Sequence, residues 1–121
     1  FDVPVAKHAI MVNGIDSILL TKLDVFTGLK KLKICTGYKY KGKVLEHFPT
    51  DASVLEEVVP VYEEMDGWWD EIGHATRLDQ LPRSAIKYLM RIESLLDVPV
   101  SILSIGPERT QTIVLRQEFL L

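Results

Sequence analysis

The stretch PRSAIKYLMRIESLLDVPVSILSI, residues 82–105, decides the fold class. Pro82 suits the first position of a helix, because its missing N–H would be unpaired there anyway. Ala85, Ile86, Leu89, Ile92, Leu95 and Leu96 recur at helical spacing and predict one apolar stripe over 82–96. Pro99 lies just beyond, where a helix must already have ended. Val100 to Ile105 is then almost wholly apolar, as a strand buried on both faces would be. Gly106-Pro107 stops it. A long helix running straight into a buried central strand suits an α/β layer.

Working outward, Ser17 to Thr21 is a second short apolar run and predicts another buried strand. It follows a helix expected over 3–12, with Val3, Ala6, Ala9 and Ile10 near one face and His8 on the polar side. Asn13-Gly14 supplies the stop. Asp24 is a plausible N-cap for a short turn through Val25 and Phe26, closed by Gly28. Leu32 to Tyr38 reads as a strand, Tyr40-Lys41-Gly42-Lys43 as a hairpin turn, and Val44 to Phe48 as its return. Asp51 or Ser53 caps a turn of helix through Leu55 and Val58, with Glu56 at capping-box spacing from Ser53. Pro60 stops that helix, and a short extended piece begins at Val61. Residues 66–80 read as a loop with a buried anchor, one of Trp68 and Trp69 in the core and the other at the rim. Thr112 to Leu115 is a last short strand. The expected fold is therefore α/β: a partial mixed or parallel sheet with flanking helices and an attached antiparallel hairpin. Nothing in the composition marks an internal boundary, so residues 1–121 are read as a single region.

Length and composition narrow the class. A chain of 121 residues and 13.8 kDa buries roughly 67% of its extended surface on folding, enough for one core. With 47% hydrophobic residues, 26% charged residues and a net charge of −3, the chain is neither disordered nor the basic module that nucleic acid attracts. No apolar run is long enough for a membrane span, and no secretory leader is expected. Cys35 is the single cysteine, which excludes an internal disulfide and a cysteine-rich metal site and points to a reducing, cytoplasmic setting. The chain begins at Phe1 and ends on Phe119-Leu120-Leu121, and sheet strands so few would have poorly covered edges. Both features suggest part of a longer protein. Processing of a short protein is the alternative.

Two turns could carry chemistry. Thr21-Lys22-Leu23-Asp24 follows a strand, and open α/β sheets bind ligands at the carboxyl ends of their strands. An Asp carboxylate can accept two parallel N–H bonds from the Watson–Crick edge of guanine, an adjacent donor pair that adenine lacks. Lys22 could lay its alkyl stem along the base. Ser104-Ile105-Gly106-Pro107 could hold the base from the other side, since glycine permits close backbone approach and proline stiffens the turn. Taken singly, the plainer readings are stronger: a capping Asp with a solvated Lys, and a strand-ending turn. Lys30, Lys31, Lys33, Lys39, Lys41 and Lys43 form a basic cluster that could attract phosphate or an acidic partner, or simply be the wet side of a hairpin. His8, His47 and His74 lack ligand-like spacing. Cys35 is expected to be a small packed thiol, and Arg109 to pair with a neighbour such as Glu108 rather than act in catalysis. There is no phosphate-binding glycine loop of either common kind.

The order and spacing of many short motifs resemble adenylosuccinate synthetase. They run from Val12-Asn13-Gly14 and Leu20-Thr21-Lys22-Leu23-Asp24-Val25 through Gly28-Leu29, Lys33-Ile34-Cys35, Tyr38 and Phe48-Pro49. Pro60-Val61-Tyr62-Glu63, Gly67-Trp68, Leu81-Pro82, Ala85, Tyr88 and Ile92-Glu93 follow. Val98-Pro99-Val100, Gly106-Pro107-Glu108-Arg109 and Thr112-Ile113 close the series. The chain looks like the carboxy-terminal part of that family. The resemblance implies an enzyme joining IMP and L-aspartate at the expense of GTP, with Mg2+ required, a homodimer when complete, and no nucleic-acid or membrane partner. It implies that Lys22, Asp24, Ser104, Gly106 and Pro107 form the guanine pocket of the GTP site. The family's phosphate loop, general base, catalytic histidine, IMP-binding residues and aspartate loop have no counterpart here, so no catalytic residue and no metal ligand is assigned. The chain alone is expected to be inactive. Thr27 and Glu108 stand where the family commonly has Asp, and Glu71 to Arg77 departs from its usual pattern, with Gly73 displaced by one. Two other classes stay open: a stand-alone guanine-nucleotide binding module, and a structural domain whose hairpin contacts a partner.

Overall fold

The computed structural model describes residues 1–119; Leu120 and Leu121, part of the apolar end noted above, lie outside the described residues. The chain divides into two compact units, residues 1–15 with 33–64, and residues 16–32 with 65–121. No linker composition announces the division, because the chain passes between the units within strands as well as between elements.

In the first unit, α1 spans Val3–Asn13. The Asp2 carboxylate caps it, accepting the Val5 N–H at 3.1 Å, and Gly14 ends it at φ 61°. β2 (Lys31–Tyr40) pairs antiparallel with β3 (Lys43–Leu45). Tyr40 faces Lys43, so the loop is the two residues Lys41-Gly42 at φ 46° and 80°. Positive φ at both central positions matches the right-handed twist of hairpin strands. β3 is shorter than the return predicted to Phe48. β4 spans Val59–Asp66 and lies on the far side of β2, in the order β3-β2-β4. It is longer than the short piece expected, and Pro60 sits inside it. An edge strand tolerates proline because one side of its backbone needs no ladder partner.

Local capping also differs. Asp51, not Ser53, caps α2 (Ala52–Glu57), accepting the Ser53 N–H at 2.9 Å and its Oγ–H at 2.7 Å. Ser53 is thereby inside the helix, and the capping box with Glu56 is not made. His8 is half-buried rather than on a polar face, its ring centroid 5.4 Å from that of Phe48. Cys35 is packed, as expected, at 5% exposure. Its Sγ–H donates to the Gly37 carbonyl at 3.3 Å. Burial, and then the Asp2 charge, push the thiol pKa up.

The second unit carries the central strand. β1 (Ile18–Leu20) runs parallel to β5 (Val100–Ser104), which pairs antiparallel with β6 (Thr112–Val114), giving the order β1-β5-β6. Val100, Leu103 and Ile105 have no exposed surface. β1 is not the buried strand expected: Ile18 and Leu20 are half-buried on one face, and Leu19 on the other is 55% exposed. α3 is Arg83–Leu96, and Pro82 occupies the cap one position earlier than predicted. Its buried stripe is Ala85, Tyr88, Leu89, Ile92 and Leu96. Ile86 and Leu95 are only half-buried. Tyr88 joins Phe26 and Trp68 in an aromatic cluster with centroids 5.9–6.4 Å apart. Trp68 is the anchor at 2% exposure and Trp69 the rim residue at 70%.

Candidate functional site

The candidate site grows from the parallel pair. Leu20 is in register with Leu103, so the chain leaves β1 and β5 at the same edge of the sheet. The stretch 21–24 emerges from one strand and 104–107 from its neighbour. Ser101 locks the pair: its Oγ donates to the Ile18 carbonyl at 3.2 Å and accepts from the Ser17 Oγ–H at 3.1 Å. The strands' carboxyl ends are where α/β sheets hold ligands. The two stretches that carry the five residues expected at the base pocket, Lys22 and Asp24 on one and Ser104, Gly106 and Pro107 on the other, thus leave the second unit's sheet at one edge.

Asp24 does not cap the turn after β1, contrary to the local reading. The 3-10 turn is Leu23–Phe26, so Asp24 lies within it and Lys22 stands at the cap position without a side-chain cap bond. Lys22 has φ 61° and ψ 32°, a left-handed conformation that costs a non-glycine residue roughly 1–2 kcal/mol. Strain of this kind gathers at functional sites. Leu23, 1% exposed, pins the turn between an exposed Lys22 and a half-buried Asp24. Among the described residues neither the Lys22 ammonium nor the Asp24 carboxylate has a hydrogen-bond or ion-pair partner. An unclaimed carboxylate with both oxygens free is the acceptor pair that a guanine edge requires.

The turn after β5 is more heavily constrained. The Ser104 Oγ–H donates to the Gly106 carbonyl at 3.3 Å. The Ile105 N–H donates to the Gln111 carbonyl at 2.9 Å, and the Gln111 N–H to the Glu108 carbonyl at 3.0 Å. The Gln111 side chain then reaches back, its Oε1 accepting the Glu108 N–H at 3.0 Å and its Nε2 donating to the Gly73 carbonyl at 3.1 Å. Sequence reasoning passed over Gln111. The one available signal was a glutamine between the Gly106-Pro107 turn and the strand that follows.

The other candidates fare differently. The basic cluster is not one surface. Lys39 faces Val44 across the hairpin, whereas Lys43 faces Tyr40 on the opposite side, and Lys41 is in the turn. Lys33 sits 5.4 Å from the Tyr62 ring centroid, and Lys31 pairs with Asp66 at 2.6 Å. Arg109 is exposed, and the ion pair expected with Glu108 is not made; its carbonyl accepts the Thr112 Oγ1–H at 2.9 Å. Thr27 is occupied structurally, accepting the Trp68 Nε1–H at 3.2 Å. Among the described residues no group of three or more His, Cys, Asp and Glu side chains could hold a metal. No helix among the described residues is long and apolar enough to cross a membrane.

A mixed sheet in which two loops leave the ends of a parallel strand pair places the chain among the α/β proteins. The comparisons narrow the class. The adenylosuccinate synthetase family profile matches residues 1–113. The adenylosuccinate synthetase of Thermoanaerobacter sp. (strain X514) is 50% identical over 115 residues, covering 95% of this chain and 27% of that protein. That of Moorella thermoacetica is 50% identical over 118 residues, covering 98% and 28%. The solved structure of fully ligated adenylosuccinate synthetase from Plasmodium falciparum superposes with a TM-score of 0.91 at 37% identity, over 96% of this chain and 28% of that one. The chain belongs to the adenylosuccinate synthetase family. It spans just over a quarter of the length of these relatives. The matches give a share of that length and no position within it, so the carboxy-terminal placement expected above is not carried forward.

Proposed function

We propose that residues 1–121 are one region of an adenylosuccinate synthetase and supply its recognition of the guanine base of GTP. The whole enzyme would join IMP to L-aspartate with hydrolysis of GTP to GDP and phosphate, in the route to AMP. Asp24 would accept the N1–H and 2-amino donors of guanine. Lys22 would lie along the base, and Ser104, Gly106 and Pro107 would close the pocket from the neighbouring strand. The register of Leu20 with Leu103 carries this reading, because it turns two weak local motifs into one edge. Mg2+, the phosphate grip and the IMP and aspartate sites would come from the rest of the enzyme, a cytoplasmic homodimer. Residues 1–121 alone would then be inactive, and ligase turnover by the purified piece would sink that part.

The test is Asp24→Asn in the longest natural chain that contains these residues. Asparagine keeps one acceptor and gains a donor, so it mismatches guanine but complements xanthine, whose 2-oxo group accepts. GTP and GDP affinity should fall by about 1–3 kcal/mol, the scale of charge-assisted hydrogen bonds, and xanthosine triphosphate should gain. Unchanged guanine affinity would remove Asp24 from the role. A guanine-binding module without catalysis would show the same selectivity change and no ligation by the natural chain.

A further inference from the structure

We propose that Gln111 is a positioning residue of the guanine site, and that Gly106 is a glycine to make room for its amide; this rests on the base-site reading above. The usual reasons for a glycine in a ligand turn are a positive φ or close approach to the ligand. Gly106 is not among the positive-φ glycines, which are Gly14, Gly28 and Gly42. A Cβ on Gly106 would instead lie 2.3 Å from Cδ and from Oε1 of Gln111, and 2.5 Å from Nε2. A Cβ on Gly73 would lie 2.7 Å from the same Nε2. The Gln111 amide is therefore seated between two glycines, one in the 104–107 turn and one in the loop before α3.

Every polar atom of that amide is directed at backbone. Oε1 holds the Glu108 N–H and Nε2 holds the Gly73 carbonyl, while the Gln111 main chain holds Ile105 and Glu108. One residue thus holds the chain on both sides of Gly106-Pro107, at Ile105 through its main chain and at Glu108 through its side chain as well, and that side chain ties the turn to a second loop. A methyl group at 106 would meet the Gln111 side chain first, since its three nearest atoms all belong to that amide. It would evict the end of the Gln111 side chain, so Gly106→Ala and Gln111→Ala should produce the same defect by the same route. Gln111 touches no substrate in this account; it acts through the shape of the turn that does.

The experiment compares Gln111→Ala, Gly106→Ala and the double variant in the longest natural chain, by kinetics and by titration with GDP. Each single variant should raise KM for GTP and Kd for GDP on the order of ten-fold, with kcat and KM for IMP within about two-fold of wild type. The double variant should be no worse than the poorer single one, because the second change removes what the first has already lost. Gln111→Met, which fills the space without hydrogen bonds, carries the same comparison if the alanine variant does not fold. Additive losses in the double variant would overturn the proposal. So would a loss shared equally by GTP and IMP, which would mark a purely structural role. Wild-type guanine affinity in Gln111→Ala, beside a loss in Asp24→Asn, would overturn this proposal and leave the base-site reading standing. No effect from Asp24→Asn would remove the base-site reading itself.

Discussion

The two units use the same materials to different ends. The first joins α1 to an antiparallel sheet whose long strand wears lysines on an exposed surface, and its turn at Lys41-Gly42 reverses the chain and does nothing more. The second builds a parallel pair, and parallel strands deliver two unrelated loops to one edge. That geometry separates a hairpin, which brings a sequence back onto itself, from a site, which brings distant residues together. Lys22 and Lys41 make the contrast concrete. Both are lysines at positive φ. One satisfies a two-residue hairpin, and the other stands beside an unclaimed carboxylate at a strand end.

The sharpest way to break this contrast is through the packing beneath the site. Trp68→Ala should destabilise the protein by about 3–5 kcal/mol, and Trp69→Ala by less than about 0.5 kcal/mol, read as shifts in urea midpoints. Equal effects would mean the aromatic cluster does not support the second unit. Alkaline titration should come next in size. Burial pushes the Tyr88 hydroxyl up to about 12, so the folded state holds its proton while the unfolded chain releases it near 10. Stability from this group is complete below pH 10 and is lost as pH rises towards 12, by on the order of 2–3 kcal/mol. In Tyr88→Phe the decline should flatten. In the first unit, Asp2→Ala removes the α1 cap and the acceptor for the Tyr38 hydroxyl, 2.7–2.8 Å away. It should cost about 1–2 kcal/mol of stability and leave the choice between guanine and xanthine nucleotides unchanged. A changed base preference would contradict the assignment of the site to the second unit. The smallest effect should come from Lys31→Ala, which breaks an exposed pair with Asp66 and should leave the urea midpoint close to that of the wild type, because solvent screens such pairs.

Legibility in the sequence followed the range of the interaction. The helix over α3, the central strand β5 and the Gly14 stop each leave a local or periodic trace, and each was readable; that one tryptophan of the pair 68–69 anchors the core was readable too, but not which. β4 was largely missed because Pro60 signals a break, and only the sheet order reveals that it sits on an edge. Asp24 was misread as a cap because its spacing fits one; the cap stands two residues earlier, at the strained Lys22. The five candidate site residues were nameable through two short motifs. Their shared edge was not, since parallel register joins positions 20 and 103 with no sequence signal between them. Gln111 left only its place between the Gly106-Pro107 turn and β6 as a signal, because its tie to Gly73 joins two loops far apart in sequence.

A crystal structure of the longest natural chain with GDP bound tests the central claim most directly. The account predicts the guanine edge on Asp24, with N1 and the 2-amino group each about 2.7–2.9 Å from a carboxylate oxygen, and the base bounded by Lys22 and the 104–107 turn. A guanine read by other residues, with Asp24 still facing solvent, would contradict it.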